Sequence, residues 1–387
     1  MLKLVTNKYK KGIKMTTYLT IEENVLKQKK AYWTAKEISQ QPKIWLEAEQ
    51  EVKNKQAQLD NFLTPILAIP NLRIILTGAG TSAYIGDAVA PHLSVVNCRL
   101  FEAISTTDLV SNPNHNLLKK TPTLLISYGR SGNSPESVGA VDIADQVVDD
   151  CYHLVLTCNP NGELAKYGQK NPKAFSLLMP EGTLDESFAM TSSYSSMYVT
   201  TLAIFAPDSS QLASAVNWTE SLLNNNSVEG IKKHAKNNCD RLVFLGCGPL
   251  LGIAREAALK CLELTSGKVL SYCESPLGFR HGPKSLVTDS TEIVLLSSSD
   301  EYTKAYDQDL WAELVRDDTA SIFRLDASSF AQDDVLEDIW AGLAYIVYCQ
   351  ILSFFKSIDF EISPDNPCPS GEVNRVVQGV TIYPLAS

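Results

Sequence analysis

The sequence predicts an α/β protein built from two copies of one unit, each a parallel sheet with helices packed on its faces. Short runs rich in Val, Ile and Leu alternate with longer helical patterns, as parallel strands joined by crossover helices require. Paired glycines follow the first strand of each half at the same offsets, Gly78 and Gly80 after Arg73, Gly246 and Gly248 after Arg241. The next strand begins 50 residues after Arg73 and 51 after Arg241, and a third begins 80 residues on in both halves. Three shared offsets indicate a duplication.

The elements follow in order. A partly helical leader occupies 1–50. In the first unit, 51–210, the strand candidates are Arg73–Thr77, Thr123–Ser127 and His153–Thr157, with Ala83–Val96 and Pro135–Asp149 as helices between them. Ser209–Val228, with its polar run Asn224-Asn225-Asn226, reads as a linker. The second unit, 222–387, offers strands Arg241–Leu245, Glu292–Leu296 and Ser321–Leu325 and helices Ile253–Thr265 and Gln308–Asp317. Ile339–Phe355 is apolar except for Gln350 and Ser353. At 17 residues it falls short of the roughly 20 a bilayer span needs, so a core or interface helix is expected there.

Composition narrows the class. The chain has 387 residues, enough for two ordinary domains, with 44% hydrophobic and 20% charged residues. Its net charge of −10 leaves no basic stripe for nucleic acid. Nine cysteines without a C-x-x-C pair read as reduced thiols of a cytoplasmic protein. The first fourteen residues carry five lysines and no apolar segment, unlike a secretory signal, and Met15 is a candidate natural start. No two histidines have metal-ligand spacing, so no metal is expected. The Gly246–Gly252 turn lacks the acidic residue after the following strand that a dinucleotide ribose needs, so no redox cofactor is expected either.

Ligands of an open parallel sheet bind at the carboxyl ends of its strands. There the sequence places Gly78-Ala79-Gly80-Thr81-Ser82 and Ser127-Tyr128-Gly129-Arg130-Ser131-Gly132-Asn133-Ser134. Hydroxyls and freed amides ahead of a helix starting at Pro135 suit a phosphate monoester. Helix capping alone accounts for Ser134 but does not need Ser127, Ser131 and two glycines as well. Further on, Glu256, Lys260 and Glu263 fall at i, i+4 and i+7 on one stripe of an otherwise apolar helix. Charges kept on such a helix are paired or line a cavity, and a carboxylate beside a lysine can shuttle a proton. His281 lies in a loop marked by Gly278, Gly282 and Pro283.

Together these segments resemble the isomerase half of glucosamine-6-phosphate synthase over about 350 residues, from Ala35–Pro42 to Gly379–Ile382. They are more similar still to the AgaS family, double sugar-isomerase (SIS) proteins described as galactosamine-6-phosphate deaminase/isomerases or tagatose-6-phosphate ketose/aldose isomerases. Gly129–Ser137, Phe279–Pro283 and Glu372–Pro384 carry that likeness. The resemblance implies two SIS domains, each a flavodoxin-like three-layer sandwich, and a homodimer with sites shared between subunits. It also implies roles. Ser131 and Ser134 hold the phosphate with the Gly129 and Arg130 amides, and Gly80, Thr81, Ser82 and Thr191 line the sugar. Glu263 moves the proton between C2 and C1 beside Lys260 and Glu256, and His281 opens the ring. Two departures stand out: the sequence shows no glutaminase domain with an N-terminal nucleophilic cysteine, and Gln378 stands where the synthase has its imine-forming lysine. The expected reaction is therefore deamination of an amino-sugar 6-phosphate, most simply galactosamine 6-phosphate to tagatose 6-phosphate and ammonia. Plain aldose–ketose isomerisation and non-catalytic sugar-phosphate sensing are the alternatives.

Overall fold

The computed structural model describes residues 16–327 and 335–385; the lysine-rich start of the sequence lies outside them. A small hairpin, β1 (Thr17–Tyr18) with β2 (Ile21–Glu22), and helix α1 (Glu23–Gln28) lead into α2 (Tyr32–Leu67). The first turn of α2 is capped from far along the chain. Asp365 accepts the Trp33 amide (3.2 Å), the Thr34 amide (2.8 Å) and the Thr34 hydroxyl (2.8 Å), meeting donors that a helix start leaves unpaired. Because α2 runs through residue 50, the leader and the first unit share one helix.

The first unit continues with β3 (Arg73–Thr77), α3 (Thr81–Val96), β4 (Phe101–Ala103), α4 (Thr106–Ser111), α5 (Pro113–Asn116), β5 (Thr123–Gly129), α6 (Pro135–Val147), β6 (Cys151–Thr157), α7 (Glu163–Lys170), β7 (Ala174–Leu178) and α8 (Ser192–Phe205). Its five strands pair in parallel in the order β4-β3-β5-β6-β7. Helices α9 (Leu212–Leu222) and α10 (Asn225–Ala235) follow. The second unit runs β8 (Arg241–Leu245), α11 (Pro249–Leu264), β9 (Leu270–Glu274), α12 (Pro276–Phe279), β10 (Thr291–Ser297), α13 (Glu301–Asp317), β11 (Ser321–Asp326) and α14 (Asp338–Asp359). Its strands pair in parallel as β11-β10-β8-β9.

Both sheets thus repeat the order second-first-third-fourth, with the direction of strand addition reversing between β3 and β5 in one and between β8 and β10 in the other. Ligand sites of doubly wound sheets form at that reversal. The register agrees: Arg73 pairs with Thr123 as Arg241 pairs with Thr291. The third strand of the second unit starts at Thr291, one residue before the sequence reading, which makes the two spacings equal. Every residue of β5 and of β10 is buried, as expected of central strands covered on both faces.

The segment read as a linker is not one. Residues 212–222 form α9, with Leu212, Ala215, Val216, Trp218 and Leu222 buried. The asparagine run is a helix start: the Asn224 side chain accepts the Ser227 amide at 2.9 Å. The units share a continuous core through α2, α3, α8, α11 and α14. Gly252 permits a close crossing, because a Cβ there would lie 2.4 Å from the Ala88 nitrogen of α3. The apolar helix α14 is 22 residues long, and 94% of its most apolar window is buried inside the fold, in keeping with a core helix.

Candidate functional site

The two loops at the first reversal point enclose a cleft of about 110 Å³. It is lined by Ala79 and Ser82 from one loop and Tyr128, Gly129, Arg130, Ser131, Gly132, Ser134 and Ser137 from the other. Met190 and the tail residues Arg375, Val376 and Val377 close it. Gly80 shapes the first loop: its φ of 55° with ψ of −127° is a backbone that a side chain disfavours, and it delivers Thr81 and Ser82 into the first turn of α3. In the second loop the Ser134 and Ser137 hydroxyls lie 2.6 Å apart, and the Ser131 hydroxyl accepts the Asn133 amide at 3.2 Å.

Arg130 is buried, and its guanidinium donates to the carbonyls of Phe188 (2.9 Å), Ser187 (3.3 Å) and Arg375 (2.6 Å). Arg375 in turn donates from Nε to the Ser187 carbonyl at 3.1 Å and also reaches the Asp185 carbonyl. Burial, and then the charge of Arg375, lower the Arg130 pKa from its ordinary value. Two arginines so close make the cleft a place where an anion is favoured.

Beside it, α11 presents its charged stripe to the first turn of α3. Lys260 is wholly buried and donates to the Thr81 hydroxyl at 2.9 Å and to Glu263 Oε2, while Glu256 Oε1 lies 3.5 Å away. Burial pushes Glu256 up to about 8, despite the opposing pull of Lys260. Lys260 itself is raised: burial depresses its ammonium, but the carboxyls of Glu256 and Glu263 outweigh that. Glu263 keeps 21% of its side chain exposed, so the stripe runs from a sealed carboxyl through an ammonium to a carboxyl open to solvent. Such an outer carboxyl, held by a fixed donor, is suited to proton transfer.

The structure therefore brings together Thr81, Glu256, Lys260 and Glu263, and next to them Ser82, Gly129, Arg130, Ser131 and Ser134. Three candidates stand apart. Thr191 is fully buried, its amide donating to Asp185 at 2.8 Å and its hydroxyl facing the same carboxylate, so it does not line the cleft. Gln378 is exposed on the tail just beyond Val377. His281 is exposed in the turn after α12, beside Arg280, which is tied to α13 through Glu313 (2.8 Å) and Asp309 (2.9 Å). Sequence reasoning missed Ser137, one helical turn beyond Ser134, and the tail residues Arg375 to Val377. It also missed Glu37, a buried acid on α2 that accepts the Glu186 amide at 2.6 Å behind the cleft.

Away from the cleft, at the amino end of β6, Asp145, Cys151 and His153 bring potential ligand atoms within 4.8 Å of one another. Burial raises the Cys151 thiol to about 12, and His153 Nε2 is already paired with Asp145 at 2.9 Å. Both features disfavour metal coordination there.

Glu37 supplies a pH prediction. Burial first, and then the charge of Asp185, raise its carboxyl from 4.5 to about 8. A carboxyl held protonated by the fold favours the folded state at low pH, and that contribution is lost as pH rises from 4.5 through about 8. The melting-temperature advantage of the wild type over Glu37→Gln should therefore shrink on going from the acid to the alkaline side of this window. A difference that stays constant with pH would contradict it.

The fold and this cleft define a sugar-isomerase type of α/β enzyme, and a SIS domain model matches residues 66–207. The chain is 52% identical to D-galactosamine-6-phosphate deaminase AgaS of Shewanella sp. strain ANA-3 over 371 residues, covering 95% of this chain and 96% of that protein. It is 45% identical to D-galactosamine-6-phosphate deaminase AgaS of Escherichia coli, covering 91% and 96%. Among solved structures, tagatose-6-phosphate ketose/aldose isomerase from Escherichia coli superposes with a TM-score of 0.85 at 41% identity, covering 92% of this chain and 97% of that one. The chain belongs to the AgaS family and is an enzyme of the SIS type.

Proposed function

We propose that the protein converts galactosamine 6-phosphate to tagatose 6-phosphate and ammonia. The observation that carries this reading is the α11 stripe, in which Lys260 holds the partly exposed Glu263 carboxyl beside Thr81. In this reading the phosphate sits against Ser131, Ser134 and the Gly129 and Arg130 amides. His281 opens the pyranose, Glu263 takes the C2 proton and returns it at C1, and water hydrolyses the resulting C2 ketimine. These steps need only proton transfer and water. Relatives named as galactosamine-6-phosphate deaminases support the substrate. A relative named as a tagatose-6-phosphate ketose/aldose isomerase favours a second reading, in which the same shuttle acts through an enediol on a 2-hydroxy sugar.

Measuring ammonia and ketose with a panel of hexosamine and hexose 6-phosphates separates the two. Ammonia from galactosamine 6-phosphate is expected; ketose from hexose phosphates with no ammonia from any amino sugar would favour plain isomerisation. At the phosphate end, Ser131→Ala should raise KM about 10- to 100-fold, since a hydrogen bond to a charged group is worth about 1.5–3 kcal/mol. An unchanged KM would move the phosphate elsewhere.

Exposure of His281 outside the cleft supports its acting in the site of a second subunit of a homodimer. Heterodimers of Glu263→Gln and His281→Ala chains should then recover activity that neither parent has, because one of their two sites is intact. Verified heterodimers without recovery would assign both residues to one chain.

A further inference from the structure

The duplication places a second set of site loops at the reversal point of the other sheet. Arg73 and Arg241, Gly80 and Gly248, and Thr123 and Thr291 each stand 168 positions apart. The backbone repeats with the numbering: Gly80 has φ 55° and ψ −127°, Gly248 has φ 54° and ψ −127°. At the same offset Ser131 corresponds to Ser299, and Arg130 to Ser298. A hollow of about 470 Å³ lies over this second pair of loops, with Cys247, Gly248, Ser299 and Asp300 in its wall.

The two copies differ in what faces the serine. In the first, the Ser131 hydroxyl borders an open cleft flanked by Arg130 and Arg375. In the second, a carboxylate of the chain occupies the loop. Asp338, the first residue of α14, accepts both the amide (2.6 Å) and the hydroxyl (2.9 Å) of Ser299 on one oxygen, and the hydroxyl of Ser298 (2.5 Å) on the other. Asp307 takes the remaining amide, that of Ser298, at 2.8 Å. Backbone N–H and serine hydroxyls converging on one anionic group are the contacts a phosphate monoester draws from such a loop. The Ser297 hydroxyl, buried just behind, has no hydrogen-bond partner among the described residues.

We infer that the second unit carries a phosphate-monoester site at the loop corresponding to the first, centred on Ser298 and Ser299 and filled by the Asp338 carboxylate as a built-in anion. Each chain therefore holds one phosphate rather than two. The second unit instead contributes α11, whose carboxyls serve the first unit's cleft. The inference rests on reading Ser131 as a phosphate ligand, and removing Asp338 should reopen the second loop.

The test is equilibrium dialysis with radiolabelled inorganic phosphate, together with crystals soaked in phosphate, for wild type, Asp338→Ala, Ser131→Ala and the double variant. The expected stoichiometries per chain are one, two, none and one, with phosphate in Asp338→Ala crystals against both Ser131 and Ser299. Phosphate on Ser299 in the wild type would overturn the inference, as would Asp338→Ala binding at Ser131 alone. Binding at Ser299 in Asp338→Ala with none at Ser131 in any form would instead remove the reading of the first cleft and the kinship of the two sites, and would support only the part of the inference in which Asp338 fills an anion site. Absence of phosphate from both loops in every form overturns both. If Asp338→Ala folds poorly, phosphate should raise its melting temperature more than it raises that of the wild type. An equal or smaller rise counts against the inference.

Discussion

Glu263→Gln should fold and bind sugar phosphate normally, yet lose exchange of the substrate C2 proton. The amide keeps the size of the side chain and an oxygen for Lys260, which donates to Glu263 in the native site. It has no basic oxygen with which to take a proton from carbon. A positioned acid–base group contributes about 10²- to 10⁴-fold, and both deuterium exchange at C2 and ammonia release should fall within that range. The two must fall together, because the ketimine cannot form until the C2 proton has moved. If Glu263 were only a structural partner of Lys260, the substitution would lower the melting temperature and leave turnover per folded molecule nearly intact. Rapid C2 exchange in a well-folded mutant would remove Glu263 from the mechanism.

The second large effect concerns Lys260. Its ammonium is sealed between Glu256, Glu263 and Thr81, and Glu256 has no solvent exposure through which water could replace it. Removing one member of a buried charged set costs about 3–5 kcal/mol, chiefly by leaving the other uncompensated. Lys260→Met should approach that cost in alkaline solution. The cost should be smaller at acid pH, where Glu256 escapes by staying protonated; its native pKa is already raised to about 8 by burial, and losing Lys260 raises it further. The double variant Lys260→Met with Glu256→Leu should recover most of the stability and little of the turnover, because Glu263 still lacks its donor. Denaturant midpoints and kcat on the three proteins separate the effects. A single variant that is fully stable at alkaline pH, or a double variant that regains activity, would show that the ammonium does not organise this cluster.

What the sequence made legible follows burial. Strands β3 and β8 were found with their observed bounds, because central parallel strands are continuous apolar runs between turns. The edge strands β4, β7 and β9 were missed: β4 has three residues and β9 none that is fully buried, so neither leaves a clear apolar run. The α11 stripe was visible because its three charges interrupt an apolar helix. Glu37 was not, because a single acid next to Lys36 on a polar helix looks like any surface pair until the 185–188 segment folds against it. The burial of Thr191 was hidden for a related reason, since nothing local signals that Asp185 claims its amide and hydroxyl from six residues away.

The tail that walls the cleft has a consequence for when the site can exist. Arg130 grips the Arg375 carbonyl across 245 positions of sequence, and Ile382 packs against α6 at Gly139. During synthesis the first sheet is made before the second, and its serine loop then lacks the part of its lining that Arg375, Val376 and Val377 supply. The outer wall arrives only with residues 375–377, after α11 has delivered Lys260 and Glu263. A chain that has made only the first sheet therefore lacks the charged stripe of α11, the wall of the cleft and the Asp365 cap of α2. The cleft therefore depends on both units and on the tail together.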